Sequence, residues 1–177
     1  MERQPIQQTR TLSSTRELTI TAMFIALTLI FTYFVNIRLP IAGNGGLIHL
    51  GNVPLFMAAL LYGKRTGAIT GAVGMGLFDL LSGWTAWAPC TFVVVGLMGY
   101  TVGAITTAKK SMPYRILAII AALAIKIVGY YIFESVLYHN WIAPLGSIPG
   151  NIIQVGVAGI VVLILIKPFE TGLKHLL

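Results

Sequence analysis

Six apolar stretches, separated by short polar or glycine-rich connections, limit this chain more than any other feature. They cover residues 18–35, 52–62, 66–81, 90–108, 114–138 and 149–166. Several hold 17–20 residues, enough for a helix to cross a bilayer that adapts slightly in thickness. A soluble domain carries about 25% charged residues; here charged residues make up 10% and hydrophobic residues 56%. So few charges cannot cover a water-exposed surface, so lipid must be the solvent for much of it. The predicted fold is an all-α integral membrane protein with six transmembrane helices. The second stretch is short and would complete its depth with the connection before it. One domain is expected over 16–177, after a flexible cytoplasmic tail at 1–15, where Ser14 or Thr15 can cap the first helix with Glu17 in its first turn. The polar start and the length of the first apolar stretch argue against a cleavable signal peptide.

Charge placement orients the bundle. With the amino terminus in the cytoplasm, Arg3, Arg10, Arg16, Lys64, Arg65, Lys109, Lys110, Arg115, Lys167 and Lys174 fall on the inner side. Arg38 alone falls outside, and Lys126 lies within the fifth stretch. This positive-inside pattern requires an even number of crossings, which puts both termini in the cytoplasm. The net charge of +7 is read as basic ends beside anionic lipid headgroups, with no nucleic-acid partner. The single Cys90 excludes an internal disulfide and a cysteine-based metal cluster, and no metal ligand set is expected.

Charges inside a membrane are costly, which makes Asp79, Lys126 and Glu134 functional candidates. Lys126, Tyr130 and Glu134 are spaced i, i+4, i+8 and share one helix face. That face either lines a polar cavity or pairs Lys126 with Asp79 or Glu134 to lock helices together. The connection 45–56 brings His49 and Asn52 among apolar neighbours. It is either a loop folded over a small-molecule pocket or a linker whose polar groups cap the next helix. Trp84 and Trp87 serve as an interfacial belt or as a stacking wall for a flat ring. Asn151 and Gln154 share a face and either bond neighbouring helices or fix a neutral polar ligand. His49, Asn52, Trp84, Trp87, Tyr131, Glu134, Asn151 and Gln154 all lie toward the outer side and are the candidate substrate-binding residues. Small residues recur in the stretches: Gly67-xxx-Gly71 and Gly99-xxx-Gly103 read as close helix packing, and Ala22-xxx-Ala26 as internal packing or a docking stripe.

The Gly63-Lys64-Arg65-Thr66 sequence lacks the upstream glycine of a phosphate loop. No zincin spacing or nucleophile-base grouping is visible, so no enzyme activity and no cofactor in this chain are expected. A chain that captures a solute without a motor of its own points to a partner.

The 46–52 connection, the 54–63 stretch, the GAITGAVGMGLFDLLSGW run at 67–84, Trp87-Ala88-Pro89 and 147–154 together resemble the substrate-binding S component of energy-coupling factor (ECF) vitamin transporters. The similarity is to the branch with riboflavin-type, pantothenate and hydroxymethylpyrimidine or pyridoxine components, and it covers about residues 15–170. The resemblance implies six helices and a vitamin held at the extracellular side of a prokaryotic cell membrane. It implies partnership with a transmembrane coupling subunit and two ATPase subunits, which use the ATP. It implies docking through the Ala22 and Ala26 stripe, and toppling of the subunit within the membrane during transport. Pantothenate-type relatives tend to carry an arginine in the fourth helix, where this chain reads PCTFVVVG at 89–96. A carboxylate buried without a cation is expensive, so the expected ligand is an uncharged heteroaromatic such as pyridoxine or hydroxymethylpyrimidine. The competing expectations are a pantothenate-specific S component, a stand-alone proton-coupled transporter built on Lys126, Glu134 and Asp79, and a small lipid-modifying enzyme.

Overall fold

The computed structural model describes residues 15–38 and 47–176; the expected tail at 1–15 lies outside the described residues except for Thr15, which opens the first helix. Among the described residues six α-helices form: α1 (Thr15–Phe34), α2 (Asn52–Tyr62), α3 (Lys64–Leu81), α4 (Ala88–Ala108), α5 (Met112–Leu137) and α6 (Ile148–Leu176). Prolines sit in the first turn of α4 and α5, where the missing N–H costs nothing. This is why both helices start two residues earlier than their apolar runs. The sixth apolar run ends at Ile166, but α6 continues through Pro168 to Leu176. By length and composition, four segments can cross a membrane: Thr15–Phe34, Ala88–Ala108, Met112–Leu137 and Ala143–Gly172. α2 has only 11 residues, and α3 carries Lys64, Arg65 and Asp79.

Of the expected loop over 45–56, residues 45 and 46 lie outside the described residues, and from Leu47 onward it is more regular than expected. β1 (Asn36–Arg38) and β2 (Leu47–His49) pair antiparallel, with Asn36 opposite His49 and Arg38 opposite Leu47. This ribbon tops α2 directly. α2 itself is the centre of the bundle, buried from Asn52 to Leu60 and packed against α1, α3, α4 and α6. A helix apolar on every side has no solvent-facing surface to offer, so it sinks into the core. Gly63, at φ 91°, makes the tight turn from α2 into α3.

Glycines set how closely α3 and α4 approach. A Cβ on Gly99 would lie 2.2 Å from the Gly67 carbonyl oxygen, and one on Gly71 2.7 Å from the Val95 carbonyl oxygen. α1 lies beside α3 and turns Thr21, Phe24, Thr28 and Thr32 inward. Ala22 and Ala26 sit on its outer, exposed side.

At the opposite end from the ribbon, Arg115 of α5 donates from Nη2 to Glu170 Oε1 of α6 at 2.6 Å, with Arg115 buried. Removing the acceptor leaves a charged donor unpaired. Glu170→Ala is expected to lower stability by about 1.5–3 kcal/mol, read as a lower melting temperature in detergent.

Candidate functional site

A cavity of about 120 Å³ opens where the ribbon, the end of α3, the 84–87 turn and the outer parts of α4, α5 and α6 converge. Each element contributes for a local reason. β2 supplies Leu47 and His49, because the ribbon folds back over α2. The last turn of α3 supplies Phe78 and Asp79. Gly83, at φ 84°, lets the chain reverse after α3 so that Trp84 and Trp87 return to the same wall. Their rings meet edge to face, with centroids 5.2 Å apart. α5 contributes the single face Lys126, Tyr130 and Glu134 at one-turn spacing. The 3-10 turn Ala143–Ser147 and the first turns of α6 add Ser147, Asn151 and Gln154.

The polar side chains are tied to one another. Lys126 Nζ donates to Gln154 Oε1, and Gln154 Nε2 donates to the Leu47 carbonyl at 3.2 Å. A cation on α5, an amide on α6 and the ribbon are thus joined in one chain of hydrogen bonds. Trp87 Nε1 donates to Glu134 Oε1 at 3.3 Å, and Ser147 Oγ to Glu134 Oε2 at 2.8 Å. The Thr91 hydroxyl and the Tyr130 phenol share a hydrogen bond of 2.7 Å. The Lys126 ammonium also lies 5.8 Å from the centroid of the Tyr130 ring. His49 Nδ1 accepts from the Gly51 N–H at 3.2 Å, which leaves the proton of a neutral ring on Nε2. Burial, and after it the charge of Lys126, holds the His49 imidazole well below its ordinary value. His49 is therefore a neutral donor near pH 7.

Of the eight substrate-binding candidates, His49, Trp84, Trp87, Glu134, Asn151 and Gln154 line the cavity. Asn52 and Tyr131 do not. Asn52 begins α2 and descends with it into the core, where it is fully buried and its amide bonds none of the described residues. Tyr131 is rotated by about 100° from Tyr130 on the same helix. Its hydroxyl donates to the Trp141 carbonyl at 3.0 Å, away from the cavity. The i, i+4, i+8 rule selects Tyr130, which is the tyrosine that lines the cavity. Thr91 was also findable, one turn after Trp87. Ser147 carried no signal beyond opening the 147–154 motif.

The alternative reading of that face, an ion pair of Lys126 with Asp79 or Glu134, is not what forms: the ammonium bonds Gln154 instead. Among the described residues, the ion pair closer than 4.0 Å is Arg115–Glu170. Lys126 also reaches the cavity wall, as the cavity-lining reading of its helix face expects.

Comparison with known proteins agrees with this architecture. A solved structure, described as the S component of a bacterial ECF transporter, superposes with a TM-score of 0.70 at 23% identity, covering 90% of this chain and 98% of that one. The thiamine precursor transporter HmpT of Lactococcus lactis subsp. cremoris is 27% identical over 162 residues, 90% of this chain and 92% of that protein. An uncharacterized protein of Pyrococcus woesei is 28% identical over 102 residues, 58% of this chain and 68% of its own length. The family model for the ECF-type riboflavin transporter S component matches residues 12–171. Its members are membrane subunits of vitamin transporters and not enzymes. A bundle of apolar helices, capped at one end by a ribbon and a polar, aromatic-walled cavity, thus has its place among known proteins: the chain belongs to the ECF-type riboflavin transporter S component family.

Proposed function

We propose that this chain captures a single-ring, uncharged heteroaromatic of the hydroxymethylpyrimidine type, a thiamine precursor, at the extracellular side of a prokaryotic plasma membrane. Pyridoxine is the second ligand of this chemistry. The observation that carries the reading is the cavity's size together with its lining. A dry cavity of about 150 Å³ admits benzene, so about 120 Å³ suits one six-membered ring and is too small for a three-ring flavin. Trp84 and Trp87 supply aromatic faces for stacking. Asp79 is the acceptor for a ring amine, and Lys126 and His49 are donors to a hydroxymethyl oxygen or a ring nitrogen. Asn151, an amide with both donor and acceptor, fixes the remaining edge.

The choice against pantothenate now has a different basis. A cation does line the cavity, but Asp79 and Glu134 line it as well. An anionic ligand would meet two acidic side chains for one lysine, and desolvating its carboxylate there would not be compensated. The 27% identical relative described as a thiamine precursor transporter supports the same class.

Delivery is assigned to partners. The chain would work with a coupling subunit and two ATPases, docked through the exposed Ala22 and Ala26 stripe, with both termini in the cytoplasm. ATP would be used by those partners, with no cofactor in this chain.

Calorimetry on the detergent-solubilised chain tests the ligand. Hydroxymethylpyrimidine is expected to bind tightest, pyridoxine next, and pantothenate and riboflavin roughly 100-fold weaker or not at all. Preferential binding of pantothenate or riboflavin would overturn the assignment.

A further inference from the structure

Glu134 stands in the cavity wall, yet both of its oxygens already accept hydrogen bonds, one from Trp87 and one from Ser147. The residue is buried, at 6% exposure. A buried carboxylate is retained at low cost only when donors compensate it. Here the donors come from two different elements, and each controls part of the ligand wall.

Trp87 immediately precedes α4. Its ring packs against Trp84 and lies 6.2 Å from Tyr138. The indole N–H is its one conventional polar group, so the bond to Glu134 sets the rotation of the ring. Ser147 closes the 3-10 turn immediately before α6. Its hydroxyl also lies 2.8 Å from the Pro144 carbonyl of the same turn, so the Glu134 contact ties that turn, and with it the start of α6 and the placement of Asn151 and Gln154, to α5. One carboxylate on α5 registers the aromatic wall against the amide-bearing helix.

We infer that Glu134 is a positioning residue, which orients Trp87 and the first turn of α6 so that those groups, and not a direct contact from its own carboxylate, hold the ring. The inference rests on the cavity being the ring-binding site. It separates cleanly from direct contact, because glutamine can make both bonds. The glutamine carbonyl accepts from Trp87, and its amide donates to the Ser147 hydroxyl, which can accept instead. Geometry is kept while charge is lost.

The experiment compares Glu134→Ala and Glu134→Gln in the full chain in detergent, by calorimetry with hydroxymethylpyrimidine. Trp87 fluorescence is read in parallel in a Trp84→Phe, Trp141→Phe background, where it is the remaining tryptophan. Glu134→Ala is expected to weaken binding roughly tenfold or more, and Glu134→Gln to recover affinity to within about threefold of the parent. The emission and anisotropy of Trp87 are expected to shift in Glu134→Ala and return in Glu134→Gln. Equal loss of affinity in both variants, with Trp87 emission unchanged, would overturn the inference and make the charge a direct ligand contact. The fluorescence measurement uses no ligand. Failure of the parent chain to bind any pyrimidine would therefore sink the proposed function, while a Trp87 signal that ignores residue 134 would sink the positioning role.

Discussion

Gly99→Ala is expected to cost about 3 kcal/mol, the upper range for forcing an extra methyl group into a packed helix contact. The added Cβ would meet the Gly67 carbonyl oxygen at 2.2 Å, its carbonyl carbon at 2.4 Å and the Ala68 nitrogen at 2.9 Å. All three are backbone atoms of α3, so no side-chain rotation relieves the overlap. α3 and α4 must separate, and the contact they lose is among the most extensive in the bundle. Helix association in lipid depends on such close van der Waals fit, because lipid supplies no hydrophobic drive between helices. Gly156→Ala is the control: nothing lies within 4 Å of its Cβ, and alanine in a helix is favoured over glycine by about 0.5–1 kcal/mol. Thermal unfolding in detergent, followed by circular dichroism and size-exclusion profile, should show the first variant melting far below the parent and the second at or above it. Coincident melting curves for Gly99→Ala and the parent would contradict the packing described above.

Ala22→Trp or Ala26→Trp is expected to abolish uptake while ligand affinity stays within about twofold of the parent. Both alanines are exposed on α1, whose opposite face carries the buried Thr21, Phe24, Thr28 and Thr32. A tryptophan there adds bulk outside the bundle and touches neither core nor cavity. If the stripe is the docking face, the coupling subunit can no longer seat against it. The measurement pairs uptake of labelled hydroxymethylpyrimidine in cells carrying all subunits with calorimetry on each purified variant. Vesicles holding this chain alone should take up nothing. Uptake by the chain alone that collapses with the proton gradient would instead establish a self-sufficient transporter.

Much of the candidate site was legible from periodicity and cost. Glu134 stood out because charge in lipid is expensive, and the turn-by-turn spacing from Lys126 named a face that the structure brings to the cavity. The same spacing puts Tyr130 on that face, while Tyr131, a candidate by its outer position, turns away from it. Asn52 misled for another reason. A polar residue at the start of an apolar run looks like a lid or cap group, but α2 is buried on all sides and takes its first residue down with it. The ribbon was hidden too: three-residue strands are too short to show an alternating pattern.

The residues in order were enough to set the solvent, the six helices and which few charges had to be accommodated inside the bundle, since those follow from local transfer cost and one-dimensional spacing. Which polar groups meet was decided by the tertiary structure. Lys126 bonds Gln154, 28 positions away, and Gln154 bonds the Leu47 carbonyl, 107 positions away. Glycine contacts between α3 and α4, and a short α2 sunk in the core, set the helix positions from which those partners reach one another. Hydrogen bonding is directional and short-ranged, so partner choice depends on helix placement, which no single stretch of sequence encodes.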